Sequence, residues 1–111
     1  MSNVYDRAIQ VLHDDGWTQG DYHHIDKGYC AVGALGKAVG MYDTEWARVN
    51  PHTNALWAEA EEYLNNKFFG TDSNNSVVLW NDTQGRTADD VIHLFKQASE
   101  QWDLDHPEPA A

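Results

Sequence analysis

Apolar side chains recur every three or four residues in several stretches of the chain, a spacing typical of helices with one buried face. The first of these stretches contains Val4, Ala8, Ile9 and Leu12. Asn3 and Asp6 fit the two positions of an N-terminal cap, and Gly16 is well placed to end the helix in a left-handed conformation. The pattern therefore predicts a first helix over residues 4–15.

Two further stretches predict long helices in the middle and at the end of the chain. In the first, which begins at Pro51, the apolar positions are Leu56, Ala60, Tyr63 and Leu64. In the second, they are Val91, Leu94, Phe95, Ala98 and Trp102. Thr87 and Asp90 resemble a capping box, which predicts a final helix over residues 88–102. Two prolines follow, so residues 103–111 are expected to form a flexible tail.

The stretch from Gly28 to Gly40 consists almost entirely of small and apolar residues and opens near the only cysteine, Cys30. One helical face would carry Ala31, Ala34, Leu35 and Ala38. Glycine inside a helix costs about 0.5–1 kcal/mol relative to alanine, so Gly33 and Gly36 need a compensating reason. Close approach of neighbouring helices supplies one. We expect a buried central helix over residues 29–39.

The remaining segments are short or polar. Residues 18–28 are predicted to form a surface loop, and residues 70–76 form a second loop by composition. Trp46 and Val49 fall in a short helical turn that must end before the following proline. The apolar run Val77–Trp80 fits either a buried helical turn or a short extended piece.

These elements predict an all-α fold. With 111 residues, of which 41% are hydrophobic, the chain is long enough for one core and too short for two. We expect a single compact domain over residues 1–102, with about four main helices around the Gly/Ala-rich central helix and one or two short irregular segments.

Charge and cysteine content limit the function classes. Seven Lys and Arg against eighteen Asp and Glu give a net charge of −11, which repels nucleic-acid phosphates and anionic membranes and favours a basic partner. A single cysteine cannot form an intrachain disulfide, so a reducing compartment, the cytoplasm, is expected. The N-terminus lacks a basic leader followed by an apolar run, and no membrane-spanning stretch is apparent. We therefore expect neither direct nucleic-acid binding nor membrane attachment.

Several short motifs recur together in a pattern that resembles a known family. They are Gly16-Trp17-x-Gln19-Gly20, Cys30-x-x-Gly33-Ala34-Leu35, Trp80-Asn81-Asp82, and Arg86-Thr87 ahead of Val91, Phe95 and Ala98. The chain resembles a family of small uncharacterised domains from actinobacteria and their phages. The resemblance covers most of residues 4–100, although none of its motifs lies in residues 46–69. It implies a compact helical domain without an assigned activity.

Cys30 is the sharpest chemical candidate, because a thiol at a helix start is favoured as thiolate. With His23 or His24 as a base it would form a cysteine-hydrolase constellation, for which Asn81 or Asp82 could orient the base. The alternative is that Cys30 is a small buried hydrophobe. The same histidines cluster with Asp21 and Asp26, but adjacent histidines lack zinc-site spacing, so no metal or cofactor is predicted.

The candidate binding residues are Trp46, Trp80, Asn81, Asp82 and Arg86. Trp46 is the tryptophan most expected at the surface. Trp80 ends an apolar run, and Asn81, Asp82 and Arg86 form a polar corner between this run and a helix start. The corner is either a binding corner or a turn held by its own side chains.

The leading hypothesis is a small acidic accessory or regulatory protein, of a phage or bacterial type, that binds another protein. It would inhibit a host enzyme or mimic the charge of nucleic acid. The alternatives are a hydrolase that uses Cys30 and a small-ligand binder with a tryptophan-lined pocket. Formation of a homo-oligomer is left open.

Overall fold

The computed structural model describes residues 3–70 and 76–107. Within them the chain forms six α-helices, a two-stranded hairpin and one π-helical turn. In chain order these are α1 (Val4–Asp15), β1 (His23–His24), β2 (Gly28–Tyr29), α2 (Ala31–Ala38), α3 (Glu45–Val49), α4 (Pro51–Leu64), the π-helical turn (Asn65–Phe69), α5 (Val77–Asn81) and α6 (Ala88–Asp105). The predicted all-α class is confirmed, with the small hairpin as an addition.

Helix α2 is the centre of the molecule. Six consecutive residues, from Ala31 to Gly36, are buried, and the helix contacts α1, α4 and α5, while α1 also packs on α6. The predicted central helix is therefore correct in place and role. It begins two residues later than expected, because Gly28 and Tyr29 pair with β1 instead of joining the helix.

The predicted surface loop over residues 18–28 contains this hairpin, and Thr18 in it is buried. The carbonyl of Tyr22 accepts a hydrogen bond from the Cys30 N–H (3.2 Å). A Cβ atom at Gly33 would overlap that same carbonyl group. The hairpin, and not a neighbouring helix as predicted, is thus the element that requires glycine at position 33.

Gly36 fits the original expectation better. A Cβ there would lie 3.0 Å from Cε2 of Trp57 on α4, so this glycine admits a side chain of the neighbouring helix.

The start of α1 is fixed by the predicted cap. Asn3 and Asp6 form a reciprocal capping box, and Ser99 of α6 donates to Asp6 (2.6 Å) and accepts from Asn3 (3.0 Å). The cap therefore also joins the first helix to the last. Gly16 ends α1 with φ 92° and ψ 175°, a glycine conformation that is more extended than the left-handed one predicted.

The middle helices follow the predicted boundaries. Thr44 caps α3, and Asn50 caps α4 with Pro51 in its first turn. The ambiguous run Val77–Trp80 is helical and belongs to α5. In α4 only Ala60 and Leu64 are fully buried. Leu56, another apolar position predicted for this helix, is 39% exposed.

Helix α6 continues three residues beyond its predicted end. Asp105 accepts hydrogen bonds from the Tyr63 hydroxyl (2.6 Å) and pairs with Lys67 (3.1 Å), contacts that hold its pKa at about 2. His106 stacks on Trp102, with ring centroids 3.9 Å apart. Residues 103–105 are therefore helix and not tail, while residues 108–111 and most of the predicted 70–76 loop lie outside the described residues. No helix within the described ranges combines the length and apolarity that crossing a membrane requires.

Candidate functional site

Asn81, at the end of α5, connects the separated sequence motifs. Its side chain is 1% exposed. Its Oδ1 accepts from the Trp17 indole N–H (2.7 Å) and the Ala31 N–H (3.0 Å). Its Nδ2 donates to the Thr18 carbonyl (3.2 Å) and to Asp82 (3.1 Å). One buried amide thus binds the segment that follows α1, the start of α2 and the end of α5 together.

Two neighbours complete this polar cluster. Gln19 Nε2 donates to the carbonyls of Asn81 (3.0 Å) and Thr83 (2.9 Å). Asp82 Oδ1 also accepts from the Gly20 N–H (2.9 Å). Because these polar atoms bond to one another, the cluster fixes the packing of α5 against the hairpin segment.

Trp80 and Arg86 form the outer part of the same corner. The guanidinium of Arg86 lies 4.1 Å from the centre of the Trp80 ring, and its Nε donates to the Trp80 carbonyl (3.0 Å). A guanidinium nitrogen of Arg86 also lies 3.9 Å from the carboxylate of Asp90. The ring of Phe69 packs near the Trp80 ring, with centroids 5.9 Å apart. The structure therefore brings together four of the predicted site residues, and their contacts hold the turn between α5 and α6. These residues are Trp80, Asn81, Asp82 and Arg86.

Cys30 is the N-cap of α2 and is 4% exposed. Its Sγ accepts the Gly33 N–H (3.3 Å). Burial raises the pKa of the thiol, against the opposing effect of that hydrogen bond. A raised pKa disfavours the thiolate on which nucleophilic catalysis depends.

The two histidines face other groups. His23 stacks on Tyr29, with ring centroids 4.2 Å apart, and His24 Nδ1 accepts from the Asp26 N–H (3.2 Å). Within residues 3–70 and 76–107 no hydrogen bond joins Cys30 to a histidine. The same ranges contain no group of three or more His, Cys, Asp or Glu placed to hold a metal ion.

Trp46 lies on the surface, as predicted. It is 71% exposed, and Val49, one helical turn further along α3, is 72% exposed. Residues three apart lie on the same side of a helix, so the two side chains form one apolar surface, which we call the α3 face.

Three of the clefts formed by the described residues could receive a ligand. The first, of about 300 Å³, lies beside Cys30 and Asp82 and contains no tryptophan. The second, of about 420 Å³, includes Trp102, and the third, of about 400 Å³, includes Trp57. The pocket walled by several tryptophans that a ligand binder would need is not present among these three.

The sequence placed Val49 in the same helical turn as Trp46, but Val49 was not among the candidate binding residues, although its i, i+3 spacing from Trp46 is visible in the chain. Sequence reasoning also missed the wall of the third cleft on α4, where Asn54, Trp57 and Glu61 recur at helical spacing. The bond of Asn81 to the start of α2 had no local signal, because it spans 50 residues.

Comparison with known proteins gives a family and no activity. A family model described as a family of unknown function (DUF6197) matches residues 1–101. No curated protein and no solved structure matches the chain. The match confirms the predicted resemblance to an uncharacterised domain.

Proposed function

The chain belongs to the DUF6197 family of unknown function, and we propose that it is an accessory or regulatory protein that binds another protein through the α3 face. The observation that carries this proposal is the exposure of Trp46 and Val49 on one side of a single helix. Tryptophan is the residue type most enriched among binding hot spots. Isolated exposed apolar residues are ordinary, whereas adjacent ones on one face favour an interface.

Helix α3 is held in place although it is short. Thr44 caps its start by accepting the Ala47 N–H (3.0 Å). At its other end Asn54 of α4 donates to the carbonyls of Arg48 (2.9 Å) and Asn50 (3.0 Å). The α3 face is therefore presented on an anchored element, which lowers the ordering cost of binding.

The charge of the chain favours a basic protein as the partner. At a net charge of −11, two copies of the chain repel each other, as do the chain and nucleic acid. A basic surface is instead attracted, and its association rate increases. Inhibition of a host enzyme and mimicry of nucleic-acid charge are two ways in which such binding would act. The lone cysteine supports a reducing compartment, the cytoplasm, as the place of action.

The alternatives receive less support from the geometry. A hydrolase needs a reactive thiol next to a base, and Cys30 is buried and bonded to backbone. The corner of Trp80, Asn81, Asp82 and Arg86 is occupied by its own contacts. Of the predicted binding residues, Trp46 is the one that offers free apolar surface.

Site-specific photo-crosslinking in the native host tests the proposal. A photoreactive residue replaces Trp46 in one variant and Leu104, which is 75% exposed on α6, in a control variant. We expect one basic protein to be captured at position 46 and not at position 104.

The captured protein, once purified, should bind the wild-type chain and lose affinity at least about tenfold, or about 1.4 kcal/mol, with Trp46→Ala. Leu104→Ala should bind like wild type. Capture of a second copy of the chain, equal capture at both positions, or unchanged affinity of Trp46→Ala would each refute the proposal.

A further inference from the structure

The third cleft lies between the hairpin segment and α4. Its lining residues are Tyr22, Val32, Asn54, Trp57, Ala58 and Glu61, and its volume is about 400 Å³. Four of these residues follow the i, i+3, i+4, i+7 spacing and so share one face of α4. The cleft is thus built on a regular helix, which fixes the positions of its polar groups relative to one another.

Glu61 is half-buried in this cleft. Within the described residues its carboxylate forms no ion pair and no hydrogen bond. Burial alone raises its pKa, because the carboxylate loses solvation and gains no compensating contact. A protein retains such a carboxylate at some cost in stability, which is typical of residues that act on a ligand.

Asn54 supplies a second acceptor. Its amide orientation is determined by its neighbours, because Nδ2 donates to the carbonyls of Arg48 and Asn50 and only the nitrogen can do so. Its Oδ1 accepts no hydrogen bond from any described residue. Asn54 and Glu61 thus each present an oxygen acceptor in the cleft, and no lysine or arginine is among its lining residues.

Two aromatic rings complete the wall. Tyr22 and Trp57 meet edge to face, with centroids 5.7 Å apart and planes at 76°. The indole is held by its Nε1 hydrogen bond to the Val32 carbonyl (2.8 Å). Aromatic faces attract cations, and they attract the planar guanidinium group most readily by stacking.

We propose that this cleft receives the guanidinium group of an arginine on the basic protein that binds the α3 face. An arginine suits this lining, because its guanidinium group offers several N–H donors on one plane to a carboxylate such as Glu61 and a flat face to the aromatic wall. Lysine would offer a point charge without the planar surface. The cleft adjoins the C-terminal end of α3, because Asn54, which lines the cleft, donates to the carbonyls of Arg48 and of the C-cap Asn50. The inference rests on the proposed function and names the chemistry of the partner.

Titration with a small probe tests the cleft independently of the partner. The probe is N-acetylarginine amide, and the readout is the ¹H–¹⁵N spectrum of the intact chain, in which the Trp57 indole N–H reports on the cleft. We expect saturable shifts at Trp57 and Asn54 at millimolar concentrations. N-acetylcitrulline amide, which is neutral, should cause none, and N-acetyllysine amide should bind more weakly.

A matched pair of variants assigns the binding to Glu61. Glu61→Gln should lower the affinity for the arginine probe about tenfold, as loss of one charge-assisted contact implies. Glu62→Gln, at the exposed neighbouring position, should leave it unchanged. Absence of shifts at Trp57, equal shifts with citrulline, or equal effects of the two variants would overturn the inference.

Binding of the partner captured at Trp46 distinguishes a failure of the arginine site from a failure of the proposed function. If Trp46→Ala weakens its binding and Glu61→Gln does not, the α3 face is an interface and the arginine site is wrong. If the arginine probe binds through Glu61 but no partner is captured at Trp46, the cleft binds a guanidinium group, the proposed function fails, and the placement of that arginine on an α3 partner fails with it.

Discussion

Replacement of Asn81 by aspartate tests whether the polar cluster holds the fold. The change keeps the shape of the side chain and converts the Nδ2 donor to an oxygen. The Thr18 carbonyl, now 3.2 Å from Nδ2, would lose its donor, at a cost of about 1–3 kcal/mol. Asp82, now 3.1 Å from Nδ2, would face a like charge, and at roughly 4 Å this costs between about 1 and 4 kcal/mol, depending on exposure.

Part of this cost is offset. The Trp17 and Ala31 N–H groups would donate to a carboxylate instead of an amide oxygen, and such charge-assisted bonds are roughly twice as strong. We therefore expect Asn81→Asp to lower the free energy of unfolding by about 3 kcal/mol at neutral pH. With a urea dependence of about 1–3 kcal/mol per molar, the midpoint of urea unfolding should fall by roughly 2 M.

The effect should depend on pH with a defined sign. The introduced carboxyl would have a raised pKa in the folded state, because a nearby carboxylate and burial both disfavour its charge. The folded state then binds more protons than the unfolded state, so stability is recovered as the pH falls below neutral.

Asn50→Asp is the matched control, since Asn50 caps α4 by accepting the His52 N–H (2.9 Å) and aspartate is an equally good cap. A wild-type urea midpoint for Asn81→Asp at neutral pH, or equal midpoint shifts for the two variants, would refute the structural role of the cluster.

Three further predictions concern the central helix and the cleft. Gly33→Ala should destabilise by about 2 kcal/mol because its Cβ overlaps the backbone of Tyr22, whereas Gly36→Ala should stay within about 1 kcal/mol of wild type, as the urea midpoints will show. Cys30→Ala should cost about 1 kcal/mol through loss of the α2 cap and Cys30→Ser almost nothing, and the wild-type thiol should react with maleimide faster when unfolded. Glu61→Gln should raise the melting temperature at neutral pH, with the advantage vanishing below the ordinary glutamate pKa, because the raised pKa of Glu61 makes the wild type lose stability as pH rises. Equal midpoints for the glycine variants, fast labelling of the folded thiol, or a lower melting temperature of Glu61→Gln would contradict the respective arguments.

The local part of the fold was predictable because its signals are local. The capping box of Asn3 and Asp6, the cap at Thr87 and the proline at the start of α4 each act within a few residues. They placed the starts of three helices, α1, α4 and α6, correctly. The hairpin was missed because its strands have two residues each, too short for any alternation of side chains to be visible.

The misplaced end of α6 has a different cause. The regular apolar spacing of the helix ends at Trp102, and the added turn is stabilised in part by the contacts of Asp105 with Tyr63 and Lys67 from another part of the chain. The neighbour of Gly33 could not be predicted for the same reason. Packing between distant segments decided both features, and the sequence around each one carries no sign of it.

Among the candidate site residues, those that belong to the family motifs have a structural role. The motifs that carry the family resemblance supply Trp17, Gln19, Asn81 and Asp82, and each of these side chains has at least one polar atom hydrogen-bonded within the fold. Residues that satisfy one another in this way specify an architecture and leave few groups free for a ligand. The family pattern in this chain therefore reports the fold, and a shared fold does not determine a shared partner.

The residues on which the two proposals rest lie outside these motifs. None of the motifs that carry the resemblance lies in residues 46–69, and this segment contains Trp46, Val49 and Glu61. They are anchored to the core by other residues of the same segment, since Asn54 holds α3 and Trp57 bonds to the Val32 carbonyl of α2. One contiguous stretch thus carries both the exposed apolar face and the unpartnered carboxylate, while the motifs on either side of it hold the scaffold. Such a division would let the α3 face and the cleft change without loss of the core, and it is the reason to test the proposed binding in α3 and α4 before Cys30 or Asn81.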